Sequence, residues 1–251
     1  MRIAVINPNT SEPLTSHILA AAREVADVPA SLVAFTAARG PAAIESQVDE
    51  AYAAAEVASI VMADPHCDAY IVACASDPGV AAARELTSAP VVGMGEASFL
   101  IASLLGATFS VITTLDRGVE TVRQQICSQG LAHRCASVVP TGLTVLESGS
   151  GSAASKARIV EQGRLAVRRD HAEVLVLGCA GMSGLTDAVR MGTGIPVVDG
   201  VRAAVVLAEG LVRCRLATSK AGAFAYPEPL PYAGLTAPSQ LVTKHPVANA
   251  P

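Results

Sequence analysis

The chain of 251 residues has no tryptophan, and its aromatics stop at four tyrosines and four phenylalanines. A core of stacked rings is excluded, so Ala, Val, Leu and Ile must fill the interior, as 51% hydrophobic residues allow. Basic charge is short as well: 18 Lys and Arg against 22 Asp and Glu leave no field for a nucleic acid backbone. Lysine occurs only as Lys156, Lys220 and Lys244, near a helix start or in and near the tail, which gives a pyridoxal phosphate Schiff base no good anchor. No G-x-G-x-x-G follows the first apolar run, so a dinucleotide is unsupported. The six cysteines (Cys67, Cys74, Cys127, Cys135, Cys179 and Cys214) never fall in C-x-x-C spacing, which argues against a metal site, a redox pair or a disulfide framework. No cofactor is expected.

Long apolar runs are also missing. The N-terminal run reaches Asn7-Pro8 after four apolar residues, too short for a signal-peptide core, and the expected location is cytoplasmic. Residues 97–115 are uncharged over nineteen positions, but Gly106 and Thr108 divide them into helix formers followed by β-branched residues. That pattern is a buried helix and a buried strand, not a membrane span.

What is present is a repeated context. Asp68-Ala-Tyr-Ile-Val-Ala-Cys74-Ala-Ser-Asp77-Pro78-Gly79 and Glu173-Val-Leu-Val-Leu-Gly178-Cys179-Ala-Gly181-Met182 each run from aliphatic and β-branched residues into a cysteine, then into small and turn-forming residues. Each reads as a strand buried on both faces with a thiol at its carboxyl end, the edge where ligands bind in open α/β sheets. The competing reading of a cysteine as a small core hydrophobe is weakened by the repetition.

Strands are predicted at 2–6, 31–35, 69–74, 90–93, 109–113, 136–140, 174–178 and 196–198. Helices are predicted from the Asn7–Pro13 turn to about Val25, over 43–63, from Asp77-Pro78 with Asp or Ser as cap, and over 96–105, 117–129, 153–169, 184–190 and 201–214. Cys74 to Cys179 is an offset of 105, Pro90-Val-Val to Pro196-Val-Val 106, and strand 3–6 to strand 110–113 is 107. A duplicated βα unit explains all three. The expected fold class is α/β, with two pseudo-symmetric lobes, each a short, mostly parallel sheet flanked by helices, and the active site between them. The first lobe spans 1–96 and the second 97–205. Residues 206–221 are expected as a C-terminal helix on the first lobe, and 222–251, with six prolines, as an extended tail.

Two symmetric thiols suit one task in particular: removal of a proton from one face of a carbon by a thiolate and delivery to the other face by a thiol, with the roles exchanging in reverse. A thiol of ordinary pKa, about 8.5, is little ionised at neutrality, so helix N-termini and backbone N–H groups after Cys74 and Cys179 are expected to lower one of them. A Cys-His hydrolase is disfavoured. His17 falls on the first helix, His66 and His171 precede strands, His133 lies in a turn and His245 in the tail, none at a strand's carboxyl end.

Five segments together resemble the aspartate/glutamate/hydantoin racemase superfamily, over nearly the whole chain up to the tail. They are Ile6-Asn7-Pro8-Asn9-Thr10-Ser11; Cys74 with Asp77-Pro78-Gly79; Pro90-Val-Val-Gly-Met-Gly95-Glu96-Ala97; Val111-Ile-Thr113-Thr114-Leu-Asp116-Arg117; and Leu177-Gly178-Cys179-Ala-Gly181-Met182. They look most like the hydantoin and allantoin racemase branch. The resemblance implies that Cys74 and Cys179 are the acid/base pair. It further implies that Asn7, Ala75, Ser76, Thr113, Thr114, Ala180 and Gly181 hold the substrate's carbonyl oxygens. Glu96 is placed with them, against a competing reading as a first-turn acid matched to the helix dipole. The activity implied is cofactor-independent racemisation of 5-substituted hydantoins, allantoin included, by a homo-oligomer acting on a small molecule.

The amino-acid racemases of this superfamily usually carry Asn-Thr after the first cysteine, where this chain has Ala75-Ser76; hydantoin racemases often carry an aromatic residue and glycine there. Alternatives are an amino-acid racemase or a maleate isomerase on the same scaffold, or a binding protein without catalysis. An arylmalonate decarboxylase would use one of the two cysteines, and both are kept. Cys67, Cys127, Cys135 and Cys214 match no motif and are read as structural.

Overall fold

A computed structural model describes residues 1–27, 31–228 and 230. The tail expected over 222–251 otherwise lies outside the described residues.

Every apolar run predicted as a strand is one. β1 (Ile3–Asn7), β2 (Leu32–Thr36), β3 (Ala69–Val72) and β4 (Val91–Gly93) make one parallel sheet in the order β2-β1-β3-β4. β5 (Phe109–Thr113), β6 (Cys135–Pro140), β7 (Val174–Leu177) and β8 (Val197–Asp199) make a second in the order β6-β5-β7-β8. The two sheets thus share one topology, and β1, β3, β5 and β7 are buried along their whole length, which is why their sequences are continuous apolar runs rather than alternations.

The helices are α1 (Glu12–Arg23), α2 (Gln47–Ala63), α3 (Val80–Leu86) and α4 (Met94–Leu105), then α5 (Gly118–Ser128), α6 (Val145–Ser148), α7 (Ala153–Asp170), α8 (Thr186–Thr193) and α9 (Gly200–Arg213). α4 leaves the first sheet after β4 and packs on β5, β7 and β8 of the second, whereas α9 leaves the second sheet after β8 and packs on β3 and β4 of the first. The two helices cross with their N-termini in contact. A Cβ on Gly200 would stand 2.6 Å from Cγ of Met94 and 3.1 Å from its carbonyl oxygen, so glycine is required there. Phe99 of α4 stacks on Phe109 of β5 with centroids 5.9 Å apart. One apolar cluster accordingly runs through both lobes, from Ile3 and Val5 through Met94 and Phe109 to Val205, and a smaller one lies under α2 and α3.

Several boundaries differ from the sequence expectation. α9 ends at Arg213, and residues 214–221 are not helical; Thr218 ties them to the first lobe through Ser88 and Ala89. α2 begins at Gln47 rather than near 43, because Ser46 caps it by accepting from Asp49 N–H. α3 begins at Val80 with Gly79, at φ +76°, as its cap, so Asp77-Pro78 does not open it.

Candidate active site

Ala73 donates its N–H to Ile6 O at 2.8 Å, and Gly178 donates its N–H to Ile112 O at 2.8 Å. These are the last ladder bonds of the two central pairs, and the next residue in each case is a cysteine. Cys74 and Cys179 therefore leave their sheets at equivalent points. Gly178 holds its strand against β5 where a Cβ would meet Val111 at 2.7 Å and Ile112 O at 2.9 Å.

Both thiols line a single cavity of 410 Å³ between the lobes. Of the other residues carried by the resemblance, Ala75, Ser76, Thr113, Thr114 and Ala180 also line it. Asn7, Glu96 and Gly181 do not. The Asn7 amide is spent on neighbours, donating to Asn9 Oδ1 (2.9 Å), Thr15 Oγ1 (2.9 Å) and Ser11 O (3.1 Å), and so orients Asn9, which does face the cavity. Glu96 turns away to pair with Arg84 and to accept from Gly93 N–H at 3.0 Å, the first-turn role that competed with a substrate contact. Gly181 sits in a 3-10 turn (Ala180–Met182) close against Gly149, and Met182 N–H closes the turn by donating to Cys179 O at 2.9 Å.

Residues outside the resemblance complete the lining: Ile44, Glu45, Ser46, Gln47, Val48 and Glu50 from the loop before α2 and its first turn, and Thr121 of α5, beside Arg117, which the resemblance quoted without a role. A helix running from residue 43 would leave no such loop. The Ser46 cap followed three residues later by Asp49 is the sequence signal that marks its true start. Glu45 also spans the lobes, accepting from Val145 N–H at 2.8 Å.

Each thiol has one serine hydroxyl beside it: Ser76 Oγ at 3.5 Å from Cys74 Sγ and Ser148 Oγ at 3.6 Å from Cys179 Sγ. Contrary to the expectation from helix N-termini, neither thiol is acidified. Burial pushes Cys74 up to about 12, with the Cys179 charge adding to the shift and Ser76 opposing it. Cys179 is pushed up as well, again by burial, against Ser148 and the N–H groups of Gly181 and Met182. The helix after Cys74, α3, starts only at Val80, and Cys179 is followed by a single 3-10 turn, so neither cysteine leads directly into an α-helix N-terminus. Burial pushes up Glu50, with Asp49 in the same sense and the Ser76 hydroxyl against it.

Asp77 holds the first cysteine loop. Its carboxylate accepts from the N–H groups of Gly95 and Glu96, each at 2.7 Å, and from the Gln125 amide of α5 in the other lobe. The second loop is tied across the lobes too, Ser183 O lying 3.0 Å from Nε2 of His17 on α1.

No group of three or more His, Cys, Asp or Glu among the described residues could hold a metal ion. Residues 3–208 match the model of the Asp/Glu/Hydantoin racemase family. The chain belongs to that family. The hydantoin racemase of Pseudomonas sp. (strain NS671) is 39% identical over 236 residues, covering 93% of this chain and 95% of that one. Among solved structures, the allantoin racemase from Pseudomonas fluorescens shares 43% identity at a TM-score of 0.90, covering 93% of this chain and all of that one. The allantoin racemase from Klebsiella pneumoniae shares 37% at 0.88, covering 93% and 96%. The arrangement of two like parallel sheets about one cavity fits the fold of these relatives.

Proposed function

We propose that the protein racemises 5-substituted hydantoins, allantoin among them, by transferring a proton between opposite faces of C5 with Cys74 and Cys179. The observation that carries this reading is that the two thiols leave equivalent strands of two like sheets and open on one cavity. The relatives named hydantoin racemase and allantoin racemase support the substrate class.

The C5 proton of a hydantoin is flanked by a ring carbonyl, so its removal gives an enolate that donors can stabilise without a cofactor. In this proposal one thiolate takes the proton, Thr113, Thr114 and neighbouring backbone N–H groups hold the developing oxyanion, and the opposite thiol delivers its own proton. The two sulfurs exchange roles for the other enantiomer. Since burial pushes both thiols up, Cys74 to about 12, ionisation of one of them sets how much of the enzyme is ready to react.

We further propose a cytoplasmic homo-oligomer. Free thiols at all six cysteines suit a reducing compartment. No described helix is long and apolar enough to cross a membrane. The exposed Val48 and Tyr52 on α2 give a face for a second subunit. Light scattering tests the assembly. The activity is tested by the decay of optical rotation of enantiopure allantoin, 5-methylhydantoin, 5-benzylhydantoin, aspartate and glutamate. Racemisation of an amino acid with every hydantoin left untouched would sink the reading.

A further inference from the structure

Glu45 lines the cavity from the loop before α2, and hydrogen bonds hold it at both ends. Its backbone N–H donates to Asp49 Oδ2 at 3.1 Å, in the first turn of α2. Its carboxylate crosses to the second lobe, where Oε1 accepts from Val145 N–H at 2.8 Å. Val145 is the first residue of α6 and lines the cavity too; Ser148, the last, has its hydroxyl 3.6 Å from Cys179 Sγ. The Glu45 carboxylate is thus fixed on the cavity wall one short helical turn from the second thiol's neighbour. Its other oxygen, Oε2, takes part in no hydrogen bond or ion pair among the described residues, and it is not sealed from solvent.

A hydantoin ring brings the complement of such an oxygen. It carries two carbonyl oxygens and two donors, N1–H and N3–H, and each donor loses its water on entering a cavity and needs an acceptor there. The threonines and backbone N–H groups on the carbonyl side serve as donors. An ionised carboxylate oxygen only accepts, and a charged acceptor makes the stronger hydrogen bond. We infer that Glu45 Oε2 accepts a ring N–H of the hydantoin, so that this carboxylate recognises the ring itself and not its 5-substituent. The N–H bond stays intact and no proton moves. Because Glu45 comes from the first lobe and Thr113 from the second, a ring held by both spans the cleft on which the two thiols open.

The inference rests on the proposed substrate class, and the test separates the two. Hydantoin itself has no substituent at C5 and hence no stereocentre, so its binding is measured apart from racemisation. Calorimetric titration of the whole chain with hydantoin, 1-methylhydantoin and 3-methylhydantoin removes each ring N–H in turn. In the wild type at least one of the two methyl groups should weaken binding about tenfold or more, because the carboxylate is left without its donor. Glu45→Gln keeps a carbonyl oxygen for Val145 N–H but presents an amide N–H₂ where Oε2 stood. It should bind hydantoin about tenfold or more weakly than the wild type, and the gap between hydantoin and the rejected methyl analogue should shrink to about threefold or less. Glu45→Ala, which presents nothing to the ring, should close the gap as well.

A wild type that binds no hydantoin, or that binds both methyl analogues as well as hydantoin, overturns the role of Glu45. A gap as wide in the two variants as in the wild type overturns it too, since that is what a methyl group excluded only by its bulk would give. A wild type that shows the expected pattern of binding yet racemises no 5-substituted hydantoin would refute the proposed activity alone. Racemisation without the pattern would refute Glu45 alone.

Discussion

The carboxylate of Asp77 accepts from the backbone N–H of Gly95 at 2.7 Å, across eighteen residues of sequence, and so does for α4 what Asp199 does for α9 from the cap position itself. The two lobes solve one problem in two ways. Asp199 is the N-cap of α9; it accepts from Val201 and Arg202 N–H, and reaches Ser183 Oγ and Gly184 N–H in the loop after Cys179. The N-cap of α4 is Gly93, which has no side chain to offer, and the cap is supplied by the loop after Cys74. In both lobes one carboxylate binds a cysteine loop to the helix that follows the neighbouring strand.

Asp77→Ala should therefore cost stability and activity together. Two helix N–H groups and the Gln125 amide lose their acceptor, a loss of about 1–3 kcal/mol by denaturant titration. Racemisation should fall while Cys74 itself remains intact, because its loop is no longer fixed. Unaltered stability in Asp77→Ala would show that the cap is not used.

The glycines offer a paired test. A Cβ on Gly93 would lie 2.3 Å from Cγ of Asp77, so Gly93→Ala should destabilise by more than about 1 kcal/mol. Gly210, in the middle of α9, has nothing within 4 Å of its Cβ position. Gly210→Ala should stabilise by roughly 0.5–1 kcal/mol through helix propensity alone. Thermal melts of the two variants should move in opposite directions.

Serine in place of either Cys74 or Cys179 should cut racemisation by about 10²-fold or more, since a hydroxyl is far too weak an acid to replace a thiol. Serine at the exposed Cys127 or Cys214 should change little. In deuterated water the product of the wild type should carry deuterium at C5, and chelators should leave the rate alone. Full activity in Cys74→Ser, or zinc-restored activity after chelation, would overturn the pair.

Burial also sets a pH signature. Cys74 is pushed up to about 12 in the folded chain, while an unfolded cysteine titrates near 8.5. Between those values the unfolded state has shed the proton and the folded state keeps it. This stability is present below about 8.5 and declines as pH rises toward 12. Denaturation midpoints at pH 8 and 10.5 should show the decline, with a smaller slope in Cys74→Ser. The rising limb of kcat/KM should lie at or above about 8.5, where a histidine base would place it near 6.5.

The strands and their duplication were legible because a strand buried on both faces must be written as an apolar run, and both halves use the same runs before Cys74 and Cys179. Asp77 reads as a helix start because Asp-Pro is a local signal, whereas its partners Gly95, Glu96 and Gln125 become neighbours only when β3, β4 and α5 assemble. The thiol shifts escape the sequence for a similar reason: the turns after the cysteines are visible in it, but the burial that outweighs them is not. Glu45 is hidden because the loop before α2 looks like helix until Ser46 is recognised as its cap, and Gln47 and Glu50 because only the folded chain turns the first turn of α2 onto the cavity.

The crossing of α4 and α9 bears on how a ligand comes and goes. With Gly200 seated against Met94, the two lobes meet without a side chain's clearance, and the His17–Ser183 and Asp77–Gln125 contacts tie them beside each cysteine loop. Parting the lobes like a jaw would break these contacts together. Glu45, on the cavity wall, bridges the lobes by one hydrogen bond accepted from Val145 N–H, so releasing that one bond is a smaller opening than parting two halves.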